Sequence, residues 1–115
     1  MKSLVVVCLV MLSSAASAQT FVGRWYSGNV KECKGHRGAT QGLLVYSQTE
    51  LVGLENTCRI VSAKPKSSAI EMNMRCRGEG MVSIEKETVE VSGNKLHRTV
   101  IVERKPMKFT YTRCP

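Results

Sequence analysis

The chain has 115 residues, of which 43% are apolar, and a formal net charge of +8. This length predicts one small domain once any leader is removed. All nine acidic residues are glutamates, so a Ser-His-Asp catalytic triad is excluded. The G-x-S-x-G, P-loop, G-x-G-x-x-G and H-E-x-x-H patterns are also missing, and we expect a protein that is not an enzyme and needs no cofactor.

The first 18 residues have the pattern of a secretory signal peptide. A lysine precedes the nine apolar residues 4–12, and residues 16–18 (Ala-Ser-Ala) form the small-x-small site that signal peptidase recognises. The apolar stretch is too short to span a bilayer. We therefore expect cleavage near Ala18 and a periplasmic or secreted protein that does not span the membrane, with a single domain over residues 19–115.

The cysteines after the leader predict covalent cross-links. They are Cys33, Cys58, Cys76 and Cys114. An even number in a small exported chain is typical of two disulfides. Their spacings of 25, 18 and 38 residues lack the close pairs of a zinc site, so we expect no metal.

Apolar and polar residues alternate along most of the remaining chain, for example over residues 69–76 (AIEMNMRC). This period of two is typical of strands with one buried face. The sequence Ser-Gly-Asn-Lys at residues 92–95 is the best hairpin signal. We predict strands over residues 21–28, 42–47, 50–54, 57–62, 69–76, 80–91, 95–103 and 108–114.

Sequential strands joined by short turns predict an all-β fold. We expect a small antiparallel meander barrel of about eight strands, because closure leaves no exposed edge, with a two-sheet sandwich as the alternative. A hairpin centred in residues 64–68 places Cys58 opposite or nearly opposite Cys76, and this pairing leaves Cys33 for Cys114. The sequential pairing of Cys33 with Cys58 and of Cys76 with Cys114 remains open at this point.

Four short motifs run through the chain. They are G-x-W at residues 23–25, E-x-x-C at 55–58, C-x-G-E-G at 76–80 and Y-x-R-C-P at 111–115. This set resembles a group of small, mostly uncharacterised exported proteins of proteobacteria, and G-x-W resembles the opening of lipocalin-like barrels, in which the Trp plugs one end. The resemblance implies a periplasmic β-barrel without assigned catalytic residues. In size and architecture the chain is also similar to periplasmic inhibitors of lysozymes and proteases.

The longest stretch without alternation is residues 29–41 (NVKECKGHRGATQ). Its side chains Lys31, Lys34, His36 and Arg37 lie between glycines and form a candidate binding loop for an anion. We expect a loop with at most one helical turn that caps one end of the barrel.

The sequence RCRGEG at residues 75–80 has two interpretations. Glu79 beside two arginines is a candidate general acid or base, but glycosidase-like chemistry needs two positioned carboxylates. Glycines on both sides favour a structural turn of Gly78, Glu79 and Gly80, pinned by Cys76. We expect this turn between the fifth and sixth strands, with Glu79 neutralising a nearby arginine or capping turn amides.

Charge and compartment together point to a binding function. We predict an exported, non-catalytic protein that recognises an anionic envelope component or a protein partner through its cationic loops. Nucleic acid is disfavoured because the protein is exported and has few aromatic residues for base stacking. The alternative is a periplasmic inhibitor of a hydrolase of the protease or lysozyme type, although an inhibitor of a basic lysozyme is expected to be acidic.

Overall fold

Residues 20–115 of the computed structural model are described, and they form a closed antiparallel barrel in which each strand pairs with the next in sequence. The predicted barrel is confirmed and the sandwich is excluded. The predicted signal peptide lies outside the described residues. The eight strands are β1 (Gly23–Tyr26), β2 (Leu43–Tyr46), β3 (Glu50–Gly53), β4 (Asn56–Lys66), β5 (Ala69–Gly78), β6 (Met81–Ser92), β7 (Lys95–Val102) and β8 (Lys105–Arg113).

Alternate residues of the strands point into the barrel and pack in one contiguous cluster. Burying a side chain the size of Leu or Met contributes about 1.5–3 kcal/mol, so this cluster is the main source of stability. No helix among the described residues has the length and apolar character needed to cross a membrane. The largest fully buried apolar side chains of the interior cluster are Trp25, Tyr46, Met72, Met74 and Leu96.

The seam between β1 and β8 is short, because only Trp25 with Arg113 and Tyr26 with Thr112 are paired there. Side chains reinforce it. The Arg113 guanidinium stacks 4.2 Å from the centre of the fully buried Trp25 ring. Arg113 also donates hydrogen bonds to the carbonyl oxygens of Thr20, at 3.0 Å, and Val22, at 3.3 Å. The beginning of the described chain is thereby fixed to its last strand.

Two disulfides staple the barrel, Cys58–Cys76 and Cys33–Cys114. Cys58 and Cys76 lie directly opposite each other in β4 and β5, as the hairpin argument predicted. Cys33–Cys114 joins the segment after β1 to the residue that follows β8. The favoured connectivity is confirmed and the sequential pairing is wrong.

Three stretches of strand edge, each six or seven residues long, have no neighbouring strand among the described residues, although the barrel is closed. Strand β4 pairs with β3 only through residues 56–59, and β8 pairs with β1 only at its last two residues. Strand β6 pairs with β7 only from Glu87 onwards. The free edges are therefore residues 61–66 of β4, 81–86 of β6 and 105–111 of β8.

Two strands are longer than the sequence predicted. We expected the fourth strand to end at residue 62 and the last to begin at residue 108, but β4 continues through Pro65 and β8 begins before Pro106. A proline has no N–H to donate, so it normally ends a strand unless that position needs no partner. Both prolines lie on a free edge, where the missing donor costs no hydrogen bond.

Candidate anion-binding face

The candidate loop, residues 29–41, is hydrogen-bonded to the outward side of β1 and to the turn between β3 and β4. A 3-10 helix, Val30–Lys34, is capped by Asn29, whose side chain accepts a hydrogen bond from the Lys31 amide. Arg24 is the neighbour of the inward-pointing Trp25 and so faces outward. Its guanidinium donates to the carbonyl oxygens of Cys33 and Gly35, at 2.8 and 2.9 Å. Because of these bonds the loop is a fixed part of the outer wall.

The four loop residues singled out from the sequence are all exposed, but they do not converge on one site. Lys31 and Lys34 belong to the 3-10 helix, and His36 follows it. Arg37 forms an ion pair of 3.3 Å with Glu50 at the start of β3. One of the three loop cations is therefore already neutralised.

A denser group of cations lies on the outer face of β4 and β5. Arg59 and Arg75 are direct cross-strand partners, and Arg77 is the partner of Thr57 in the next outward-facing row. These four side chains line a depression of about 330 Å³. No ion pair of the three arginines is found within residues 20–115. Glu50 lies opposite Arg59 in the sheet, yet its carboxylate pairs with Arg37.

Exposed apolar side chains lie directly beside these arginines. Ile84 of β6 is the cross-strand partner of Arg75, and Val82 is the partner of Arg77. Their exposed fractions are 77% and 54%, so they add apolar surface next to the arginines. We call the group Arg59, Arg75, Arg77, Val82 and Ile84 the arginine face.

The sequence RCRGEG forms the end of β5 and the turn into β6. Gly78 is the last residue of β5, and Glu79 and Gly80 are the two turn residues, with φ of 51° and 75°. Both angles lie in the left-handed region, as a tight hairpin turn requires. Glu79 also lines an open depression of about 350 Å³ together with Glu55 and Asn56 of the β3–β4 turn region.

A charged network inside the barrel escaped the sequence analysis. Glu87 of β6 is fully buried, and its Oε1 atom accepts a hydrogen bond from the Tyr46 hydroxyl. Arg98 of β7 places Nε 2.9 Å from the same oxygen, a charge contact without aligned hydrogen-bond geometry. Oε2 of Glu87 has no hydrogen-bond partner within the described part of the chain. The network holds opposite charges together in the interior.

Burial decides the protonation behaviour of this network. It raises the pKa of the Glu87 carboxyl above its ordinary value, while the positive charge of Arg98 acts in the opposite direction. Burial also raises the pKa of the Tyr46 hydroxyl, and the neighbouring Glu87 charge adds to that effect. Tyr46 is therefore a neutral hydrogen-bond donor to Glu87.

One sequence signal for the network was present. Arg98 occupies the same strand face as Leu96 and Val100, both of which are buried, and so falls at an inward position. A cation at such a position needs a buried partner of opposite charge. The partner, Glu87, sits two residues before the buried Val89 in the neighbouring strand, and only the register of β6 against β7 reveals that the two meet.

One acidic side chain, that of Glu85, lies near the Cys58–Cys76 disulfide. The Glu85 carboxylate and the two cysteine sulfurs lie within 4.8 Å of one another. Both sulfurs are bonded in the disulfide, so neither is available as a thiolate ligand. This group is therefore not a metal-ligand set in the oxidised protein.

Comparison of the chain with protein-family models, with curated proteins and with solved structures gave no match.

Proposed function

We propose that the protein is a non-catalytic binding protein that attaches to anionic lipid surfaces through its arginine face. The observation that carries this proposal is the placement of Arg59, Arg75 and Arg77 at neighbouring positions of one sheet face, where none of them forms an ion pair with a described residue. Like charges directly opposite each other destabilise a sheet. A cluster that opposes folding in this way is typical of a binding site.

The arginine face supports the proposal better than the loop of residues 29–41. Arginine presents a planar fork of N–H donors that matches the oxygen atoms of a phosphate, whereas lysine is a point charge. The face groups three exposed guanidinium groups around one depression. The loop offers two lysines, since Arg37 pairs with Glu50.

The apolar part of the face favours lipid over a soluble polyanion. Val82 and Ile84 lie beside the arginines, so phosphate groups and acyl chains can be contacted together. The arginines and the apolar side chains all lie on one face of the sheet, so attachment is side-on, through that face.

The proposed setting is the periplasm or the exterior of the exporting cell, since the sequence predicts a signal peptide and the two disulfides are typical of an oxidising compartment. Anionic phospholipids are present there as surfaces. The shared chemistry of the proposed ligands is a phosphate group next to an apolar chain.

Vesicle sedimentation tests this function. We expect the oxidised protein to bind vesicles of equal parts phosphatidylglycerol and phosphatidylcholine, and to bind phosphatidylcholine alone far more weakly. Replacing Arg59, Arg75 and Arg77 together with glutamine is expected to weaken binding roughly a hundredfold, because each cation near an anionic surface contributes about 1 kcal/mol. Raising the salt concentration is expected to weaken wild-type binding in the same direction.

A charge-matched control separates the site from the net charge. Replacing Lys31, Lys34 and Arg37 with glutamine removes the same number of cations from the candidate loop. We expect this variant to keep most of the affinity. Equal losses in both triple variants would show that net charge alone drives binding. Salt-resistant capture of a single hydrolase would instead support the inhibitor alternative.

A further inference from the structure

The three free edges of the barrel are not protected in the same way. The β4 edge carries Pro65 between two lysines, and the β8 edge carries Pro106 with lysines on both sides. Proline and lysine are the residues with which natural sheets prevent pairing between molecules. The β6 edge, residues 81–86 (MVSIEK), has no proline and a single lysine, Lys86, whose charge is paired with Glu71. Of these three edges, it alone has no proline, and it has the fewest lysines.

The backbone groups that face the β6 edge can be identified from the register. The Ile60 amide of β4 donates to the Thr49 carbonyl oxygen on the β3 side. The backbone N–H and C=O groups of Cys58, two residues earlier, therefore also point towards β3. Cys76, opposite Cys58, therefore directs its backbone groups to Ser83 of β6. Alternation then leaves the N–H and C=O groups of Val82 and Ile84 directed at the free edge.

We propose that residues 81–86 pair with the same edge of a second copy of this chain, as an antiparallel strand pair around a two-fold axis. In the pairing that sets Ser83 opposite its own symmetry mate, Val82 of one copy faces Ile84 of the other. Both are β-branched and prominently exposed, and such pairs stabilise antiparallel sheets. The interface is self-complementary, as a two-fold dimer requires.

Space for the second copy exists on the β7 side of the edge. Residues 101 and 102 of β7 have no β6 partner, and all residues from 101 to 110 are exposed, so the β7–β8 hairpin diverges from β6 there. A second copy seated on either of the other two edges would bring lysines together. Charge therefore selects the β6 edge for self-association.

The pairing would also join the two arginine faces in one continuous sheet surface, because Arg75 and Arg77 lie in the strand next to β6. Two linked sites raise the apparent affinity for a surface without any new contact. Self-association itself does not depend on the proposed lipid function, and it is tested without lipid.

The test is sedimentation equilibrium of the oxidised protein over a range of concentrations, with Val82→Lys/Ile84→Lys as the variant. We expect a monomer–dimer equilibrium for the wild type and a dissociation constant raised by about tenfold or more in the variant, since two symmetry-related apolar pairs become like-charge pairs. The matched control is Val61→Lys/Met107→Lys, which adds the same charge to exposed positions of the other two edges and is expected to leave the equilibrium unchanged.

Hydrogen exchange locates the interface. Amides of Val82 and Ile84 are expected to become protected as the protein concentration rises, whereas those of residues 105–111 are not. A wild type that stays monomeric at all concentrations, or a dimer that persists in the variant, would overturn the proposal, as would pairing of this edge with a different protein. Self-association is measured without lipid, and lipid binding is tested by the Arg59, Arg75 and Arg77 variant, so failure of one proposal is distinguishable from failure of the other.

Discussion

Replacing Glu87 with glutamine is expected to lower the free energy of unfolding by about 3–5 kcal/mol, because it leaves the buried Arg98 charge without its partner. Arg98 has 15% of its side chain exposed and Glu87 none, so water cannot replace the lost carboxylate. Urea denaturation near neutral pH measures the change. The matched control is Glu90→Gln on the outer face of the same strand, which is expected to change stability by less than about 0.5 kcal/mol.

A double-mutant cycle separates pairing from simple loss of packing. Arg98→Met alone is expected to destabilise to a similar extent, whereas Glu87→Gln with Arg98→Met removes both charges and should cost much less than the sum of the single changes. Additive losses in the double variant would mean that the two side chains do not act as a pair.

The pH dependence of Arg98→Met gives an independent check. Because burial raises the pKa of Glu87 above its ordinary 4.5, the folded state holds the proton more tightly than the unfolded state. The contribution of Glu87 to the free energy of unfolding therefore falls as the pH rises from 4.5 towards the pKa of Glu87 in the folded state. The positive charge of Arg98 opposes the rise in the pKa of Glu87, and Arg98→Met removes that charge. We therefore expect the stability difference between wild type and variant to narrow on acidification, and a constant difference would contradict this account.

The second large effect is expected at the Cys33–Cys114 disulfide. Replacing both cysteines with serine is expected to lower the free energy of unfolding by about 4.5 kcal/mol, since the bond joins residues 81 apart and restricts the unfolded chain strongly. Replacing Cys58 and Cys76 removes a bond that spans only 18 residues, with an expected loss of about 3 kcal/mol. Chemical denaturation of both variants measures the two losses in the free energy of unfolding and shows which is larger.

The two disulfide variants should also differ in how they unfold. Without Cys33–Cys114 the β1–β8 seam keeps two paired positions and the Arg113 contacts, so it is expected to open before the rest of the barrel. Trp25 is the only tryptophan and lies at this seam, so its fluorescence should change at a lower urea concentration than the circular dichroism of the sheet. Coincident transitions in this variant would show that the seam does not open separately.

The barrel could be predicted because alternation is a local signal. Residues 69–76 show it most clearly, and a turn after residue 92 could be read from Ser-Gly-Asn-Lys. Hairpin symmetry favoured the Cys58–Cys76 bond over the sequential pairing without excluding the latter. Strand ends were harder to place, since Pro65 and Pro106 stop a central strand but not an edge strand, and edge status is decided by tertiary pairing.

The arginine face could not be predicted in the same way. Arg59 is separated from Arg75 by a hairpin, and each looks like an ordinary outward position of its own strand. The loop of residues 29–41 was predicted as the binding loop because its cations are close together in sequence. In the structure, cross-strand register brings distant residues together, and that information is absent from any single stretch of sequence.

The Trp25–Arg113 contact has a consequence for the order of folding. Strand β1 comes early in the described chain, but the side chain that covers its tryptophan belongs to β8, and the cysteine that bonds Cys33 lies 81 positions further along the chain. Contacts between residues so far apart form slowly. We therefore expect the barrel to close late, after β2 to β7 have paired in succession. Until then the edge of β1 that pairs with β8 is open. A chaperone that covers this edge is expected to act before the barrel closes.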